Sequence, residues 1–311
     1  MYLAPQILSM NKLTYLIGVL GVLTLATSCQ EEQQRGFIEP PRDYSAQSAV
    51  DNDSLISFMK RWSYNHEDYA NQDNKDKRIT FTIDSLKPEN NKVAIFDKVQ
   101  EITFRVKDAD NTYHSHTAYI LPLREGEGDS PTVADSVFVS YRGMLLNQSV
   151  FDERTSPMWL ESLGVVKGFG ALMPYIKKAA PATINSDGTY SFSGFGSAAV
   201  FMPSALGYYN NSGAMSTVNR SIPIYSPLIF AVDLYTYNTT DHDGDKVLTL
   251  LEDLDGDGYF DDDTDSDGVP NYRDVDDDND GILTRDEYDT NNDGTPDDSD
   301  GDGTPDYLDK D

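Results

Sequence analysis

Apolar residues first gather in "LTYLIGVLGVLTLATSC", where an uninterrupted run follows Lys12 and closes on the small residues Ala26, Thr27 and Ser28 before Cys29. The run is short for a bilayer span of about 20 residues and has the layout of an export signal. Residues 30–50 carry adjacent prolines and no periodicity, so they read as a tether. From Asp51 the pattern changes: Leu55, Phe58, Met59 and Trp62 recur at helical intervals behind an aspartate or serine cap, which predicts a helix packed on the body.

Period-two alternation follows. "RITFTIDSL", "EITFRVKDAD" and "YHSHTAYILPL" predict half-buried strands, and "DSVFVSYRGMLL" another, with "SVFDE" a short extended return. "GFGALMPYIKKA" has helical spacing around Pro174, "GTYSFSGFGSAAVFMP" reads as a strand or a pair, and "SPLIFAVDLYTY" closes the body. These elements predict an α+β fold, an antiparallel sheet wrapped on one helix. His114 and His116 share a strand face, but with no third ligand nearby they read as strand polarity.

Beyond residue 240 both periodicities vanish and charge takes over. Residues 241–311 hold 26 Asp and 2 Glu against 4 Lys or Arg, so they carry −24 of the chain's −29. That asymmetry argues against nucleic acid as a partner, and it leaves the tail either self-repelling or neutralised by cations. Cys29 is the sole cysteine, so disulfides play no part. G-x-S-x-G, Walker and dinucleotide motifs are absent, which removes the usual carriers of covalent and nucleotide chemistry.

The aspartates of the tail are spaced regularly. "DDDNDGILTRDE" puts Asp276, Asp278 and Asp280 at positions 1, 3 and 5, Gly281 at 6 and Glu287 at 12, the pattern of an EF-hand calcium loop. Looser copies offer Asp253, Asp255, Asp257 and Asp261; Asp263, Asp265, Asp267 and Asp274; Asp289, Asn291, Asp293 and Asp300; and Asp298, Asp300, Asp302, Asp306 and Asp309. The earliest, "DHDGDKVLTLLE", carries Lys246 where glycine belongs and is set aside. Successive copies start too close together for the flanking helices of an EF-hand. The tail therefore resembles thrombospondin type 3 repeats, which implies a chain wound around several structural Ca2+ ions.

In the body, "VFVSYRGMLLNQSVFD", "GVVKGFGALM", "MPSALGYY" and "IPIYSPLIFAVDL" occur in an order and spacing that resemble FKBP-type peptidyl-prolyl isomerases, and more narrowly the lipoprotein members found in Bacteroidota. The resemblance implies a proline pocket lined by Tyr141, Phe151 and Asp152, with Met158 or Trp159 and Val165 along the rim. It also implies a Val166 N–H for the substrate carbonyl, a Phe169 floor where many members have Trp, a Tyr208 hydroxyl on the flap, and Ile222 and Phe230 on the far side. This chain departs from the pattern at Tyr209, which replaces a glycine, at Ser221, which replaces an apolar residue, and in a longer stretch from Pro174 to Gly194.

The expected organisation is a lipoprotein signal over 1–29 with Cys29 lipidated, a tether over 30–50, and a helix-and-strand extension over 51–112. An FKBP-like domain over 113–238 and calcium repeats over 241–311 complete it. The expected function is prolyl isomerisation of exported client polypeptides at the cell envelope, anchored by lipid to the outer membrane. The competing reading is a non-catalytic binding or adhesion module on a calcium-stiffened stalk.

Overall fold

Helix α1 (Tyr44–Arg61) starts inside the stretch expected to be tether. Asp43 caps it, accepting the Ala46 N–H at 2.8 Å. Its buried positions are Gln47, Asp51, Leu55, Phe58 and Met59. The first two are polar, which hides the helical period from a hydrophobicity pattern. The computed structural model describes residues 41–86, 92–108, 110–211 and 222–310; Cys29, the export run and Ser221 lie outside them. No helix among the described residues is long and apolar enough to cross a membrane.

After α1, β1 (Trp62–Tyr64) and β2 (Ile83–Ser85) pair as a small ribbon around α2 (His66–Ala70). Then come β3 (Gln100–Lys107), β4 (Tyr113–Arg124), β5 (Ser136–Leu145), β6 (Val150–Glu161) and α3 (Lys167–Gly170). A ribbon of β7 (Thr183–Ile184) and β8 (Tyr190–Ser191), followed by β9 (Gly196–Met202) and β10 (Leu228–Asn238), completes the body. The six long strands form one antiparallel sheet in the order β3-β4-β9-β10-β5-β6.

Side-chain alternation sends the two sets of residues to two different cores. Ile120, Val200, Phe230 and Val232 face α3, whereas Leu121, Phe201, Ile229 and Ala231 face α1. Both faces are therefore dry, and β9, "GSAAVFM", is buried at every position. The α+β class and antiparallel sheet agree with the sequence, but the sheet lies between two helical layers.

Four elements differ from expectation. Only Ile83–Ser85 of "RITFTIDSL" is strand, because Thr80 and Thr82 give their carbonyls to Asn65. The return "SVFDE" extends into a twelve-residue strand paired with β5. The predicted helix around Pro174 shrinks to one turn, α3, followed by a 3₁₀ turn, Met173–Tyr175, with Pro174 in its first turn. Finally, β3 pairs with β4 along its length, so the sheet begins well before residue 113. From Arg42 onward the chain forms one compact unit.

His116, on β4, is 1% exposed and neither ring nitrogen has a hydrogen-bond partner among the described residues. Burial, and secondarily the charge of His114, lowers its pKa to about 4. The neutral ring is thus the folded form, while the unfolded chain binds a proton near the ordinary histidine pKa of about 6.5. Protons favour the unfolded state, so stability is expected to fall as pH drops from about 6.5 toward 4. Urea midpoints at pH 7 and pH 5 should differ less in His116→Phe than in the parent. An equal difference would assign the acid sensitivity to other groups.

Candidate functional site

On the α3 side of the sheet, a cavity of about 250 Å3 is lined by Tyr141, Asp152, Leu160, Gly164, Val165, Val166, Phe169, Tyr208 and Phe230. Three rings meet edge to face in it: Phe169 on Phe230 at 5.3 Å and 90°, and Tyr141 on Phe169 at 5.5 Å and 80°. Phe151 stands behind Phe230 at 5.4 Å and 88°. Gly143 on β5 makes this crowding possible, since a Cβ there would lie 2.7 Å from Phe151 Cζ and 2.9 Å from Phe230 Cε1.

Register shifts in the β5–β6 pairing, between Val139 and Tyr141 and again between Gly143 and Met144, bracket the one polar wall of the cavity. There the Tyr141 hydroxyl donates to Asp152 Oδ2 at 2.7 Å. Burial, reinforced by that bond and by the Asp152 charge, pushes the Tyr141 pKa up, so the phenol stays a donor at neutral pH. Tyr208 is raised as well, by burial first and by Asp152 second. Val166 precedes α3 in an extended conformation, and its carbonyl accepts from Phe169 and Gly170.

Of the nine residues expected to form this site, Tyr141, Asp152, Val165, Val166, Phe169, Tyr208 and Phe230 meet in the cavity. Phe151 and Ile222 do not line it: both are core residues that support it from behind. Trp159 turns to the other face of β6, 5.3 Å from Phe138, and Leu160 lines the cavity in its place. The period-two rule would have placed Leu160 correctly had β6 been carried to its full length.

Tyr208 sits on a flap that α1 holds. Asp51, buried in the middle of that helix, accepts from Ser204 N–H at 2.8 Å, Ser204 Oγ at 2.6 Å and Gln47 Nε2 at 2.7 Å. Tyr209, with φ +47°, stacks on Tyr44 at 4.3 Å, and its hydroxyl donates to the Arg42 carbonyl. A glycine could not make either contact. The departure at Tyr209 thus joins the flap to the N-terminal helix.

The tail folds into six loops, beginning at Asp241, Asp253, Asp263, Asp276, Asp289 and Asp298. Each has positive φ at its fourth and sixth residues, from Gly244 and Lys246 to Gly301 and Gly303. In each, the aspartate at position 5 accepts the N–H of position 7 at 2.7–3.0 Å. Three sequence-expected sets converge at least in part: Asp263, Asp265 and Asp267; Asp276, Asp278 and Asp280; and Asp253 with Asp255, each set bringing one oxygen per residue within 4.8 Å. The third member of the last set is Asp262. Asp257 instead accepts from the Tyr113 hydroxyl, and Asp261 pairs with Lys107 at 2.8 Å. Asp306 accepts from Ser299 N–H and Oγ, one on each of its two oxygens and each at 2.6 Å.

These loops lack a conventional core. Val247 and Tyr307 are the only apolar tail residues buried among those described, while carboxylate oxygens of Asp263, Asp276, Asp278 and Glu287 are buried without a hydrogen-bond partner. Burial and the charges of Asp280, Asp278 and Asp276 raise Glu287 to about 7. An all-oxygen set of this kind fits a hard divalent cation. The second loop also touches the body: Lys167, which follows Val166, lies over the Tyr259 ring at 3.2 Å, and the Lys107 N–H donates to the Tyr259 hydroxyl oxygen at 2.7 Å.

Residues 242–295 match the family model described as BamM C-terminal. No curated protein matches the chain. Among solved structures it is similar to a peptidyl-prolyl cis-trans isomerase from Pseudomonas syringae pv. tomato, at 16% identity and a TM-score of 0.35, over 64% of this chain and 98% of that one. It is similar also to FkpA from Escherichia coli, at 17% identity and a TM-score of 0.31, over 74% of this chain and 84% of that one. The three FKBP domains of wheat FKBP73 match at 18% identity and a TM-score of 0.31, over 44% of this chain and 51% of that one. At these identities and scores the chemistry has to be argued from the cavity itself.

Proposed function

We propose that the chain is an FKBP-type peptidyl-prolyl cis-trans isomerase that acts on exported polypeptides, held at the cell envelope through lipid on Cys29 and carrying a calcium-stabilised tail. The observation that carries this reading is the aromatic cavity closed on one side by the Tyr141–Asp152 hydrogen bond. Rotation about a prolyl bond meets a barrier of about 18–20 kcal/mol, because amide resonance is lost midway. Resonance separates charge, so a cavity that strips water from the prolyl amide favours its twisted form. Phe169 and Phe230 would take the pyrrolidine ring, while the Val166 N–H and the Tyr208 hydroxyl hold the rotating carbonyl. Asp152 keeps Tyr141 oriented, and no bond to the protein forms or breaks.

The test is the isomerisation rate of an Xaa-Pro peptide. The parent should accelerate it, Tyr208→Phe should lose about tenfold in kcat/KM for one missing hydrogen bond, and Asp152→Ala at least as much. A parent that leaves the uncatalysed rate unchanged would make the domain a proline-binding module without turnover. Anchoring is tested separately: Cys29→Ala should move the chain from the membrane fraction to the soluble one, and an unchanged distribution would sink that part.

A further inference from the structure

The loop that begins at Asp241 lacks the usual glycine at position 6, yet it is the most enclosed of the six. Lys246 adopts φ +85°, the conformation that Gly258, Gly268, Gly281, Gly294 and Gly303 adopt at the same position. Its N–H donates to Asp241 Oδ2 at 3.2 Å, the bond made by the glycines of four other loops, and its amine turns away to the Arg285 carbonyl at 2.5 Å. Asp245 is 1% exposed and Glu252, at position 12, is 2% exposed. From the fourth loop, Asp277 enters the same space and is 1% exposed. Its neighbours Asp276 and Asp278 point into their own loop, so one stretch serves two centres.

Asp241, Asp243 and Asp245 bring one oxygen each within 4.8 Å of one another, and so do Asp245, Glu252 and Asp277. The turn engages one oxygen of Asp243, through the Asp245 N–H, and one of Asp245, through the Val247 N–H. The second oxygen of each, with both oxygens of Glu252 and both of Asp277, is buried without a hydrogen-bond partner. The contrast with the body is direct. Asp233 is also buried, but it accepts from Ser197 Oγ at 2.5 Å and Ser140 Oγ at 3.1 Å and has Arg78 and Arg124 each at 3.8 Å. Three buried carboxylates with no such partners require a counter-charge.

We infer that Asp241, Asp243, Asp245 and Glu252, completed by Asp277 from the fourth loop, hold a divalent cation of the calcium class. Six unengaged oxygens match the 6–8 that calcium takes, and the absence of sulfur or imidazole from the set disfavours softer metals. This deepens the calcium reading of the tail and rests on it. The site joins the segment immediately after β10 to a loop three repeats further on, so it fixes the root of the tail rather than one bead along it.

The test counts ions on the full chain, stripped with chelator and dialysed against calcium chloride. Glu252→Gln combined with Asp277→Asn should bind one ion fewer than the parent and keep the others; an unchanged count overturns the inference. A parent that binds no calcium would overturn the reading of the whole tail, a separately visible result. Because the double variant can also loosen the tail, Lys246→Gly is measured beside it. This variant keeps every ligand and relieves the positive φ, so one dissociation constant should fall about fivefold. Affinities identical to the parent's would count against a cation at this loop.

Discussion

Removing divalent cations from the full chain is expected to unfold residues 241–310 while leaving the β-sheet body intact. The tail buries only two apolar residues but many carboxylate oxygens, so little in the polypeptide itself opposes its own repulsion. For such a segment the free energy of binding is free energy of folding: a site held at a thousand times its dissociation constant contributes about 4 kcal/mol. Trypsin reads the outcome at Arg273 and Arg285, which lie near the ends of the third and fourth loops. Both should be cut rapidly in chelator and resist cleavage in millimolar calcium. Equal cleavage in the two conditions would mean that something other than cations holds the tail. Because Tyr259 lies against Lys167 beside Val166, the isomerase assay run in the same two buffers shows whether the second loop also steadies the cavity.

Asp51→Ala is expected to produce the second largest effect, although Asp51 is not among the residues lining the cavity. The carboxylate is buried on α1 and gathers three donors, two of them from Ser204 on the flap that carries Tyr208. Burial raises its pKa, opposed by its hydrogen bonds to Ser204 and Gln47. Deleting it strands those donors in a dry interface, which costs about 2–4 kcal/mol. A flap released from α1 would also present Tyr208 less consistently, so kcat/KM should fall further than the loss of folded protein accounts for. Asp51→Asn, which keeps the shape and one acceptor, should recover part of that rate. Full activity per folded molecule in Asp51→Ala would mean that the flap is positioned without α1.

The features legible in the sequence were those where one physical rule acts alone. Period-two alternation marked β3, β4 and β5, and aspartate spacing marked loops whose backbones repeat. Rules failed where two demands met. β9 is buried on both faces, so its alternation disappears. Asp51 has the residue type of a helix cap but serves as a buried acceptor, while Asp43 does the capping. Lys246 breaks the glycine rule because its backbone still reaches positive φ and its amine finds the Arg285 carbonyl. Asp257, Asp261 and Asp306 fit the ligand spacing, yet each also meets a further partner, Tyr113, Lys107 and Ser299 respectively. Such competition is decided by three-dimensional neighbours that spacing does not reveal.

The strand order has a consequence for synthesis. Read as β3-β4, β9-β10 and β5-β6, the sheet is three antiparallel pairs, and the pair last to emerge occupies the centre. The first two can each close locally in about 1–10 μs, yet β4 and β5 then wait with unpaired edges until residues 196–238 arrive to separate them. A chain stalled or truncated before β10 would therefore expose two adhesive edges at once. Vulnerability to aggregation would be concentrated in that interval of synthesis and end when the final strand is delivered.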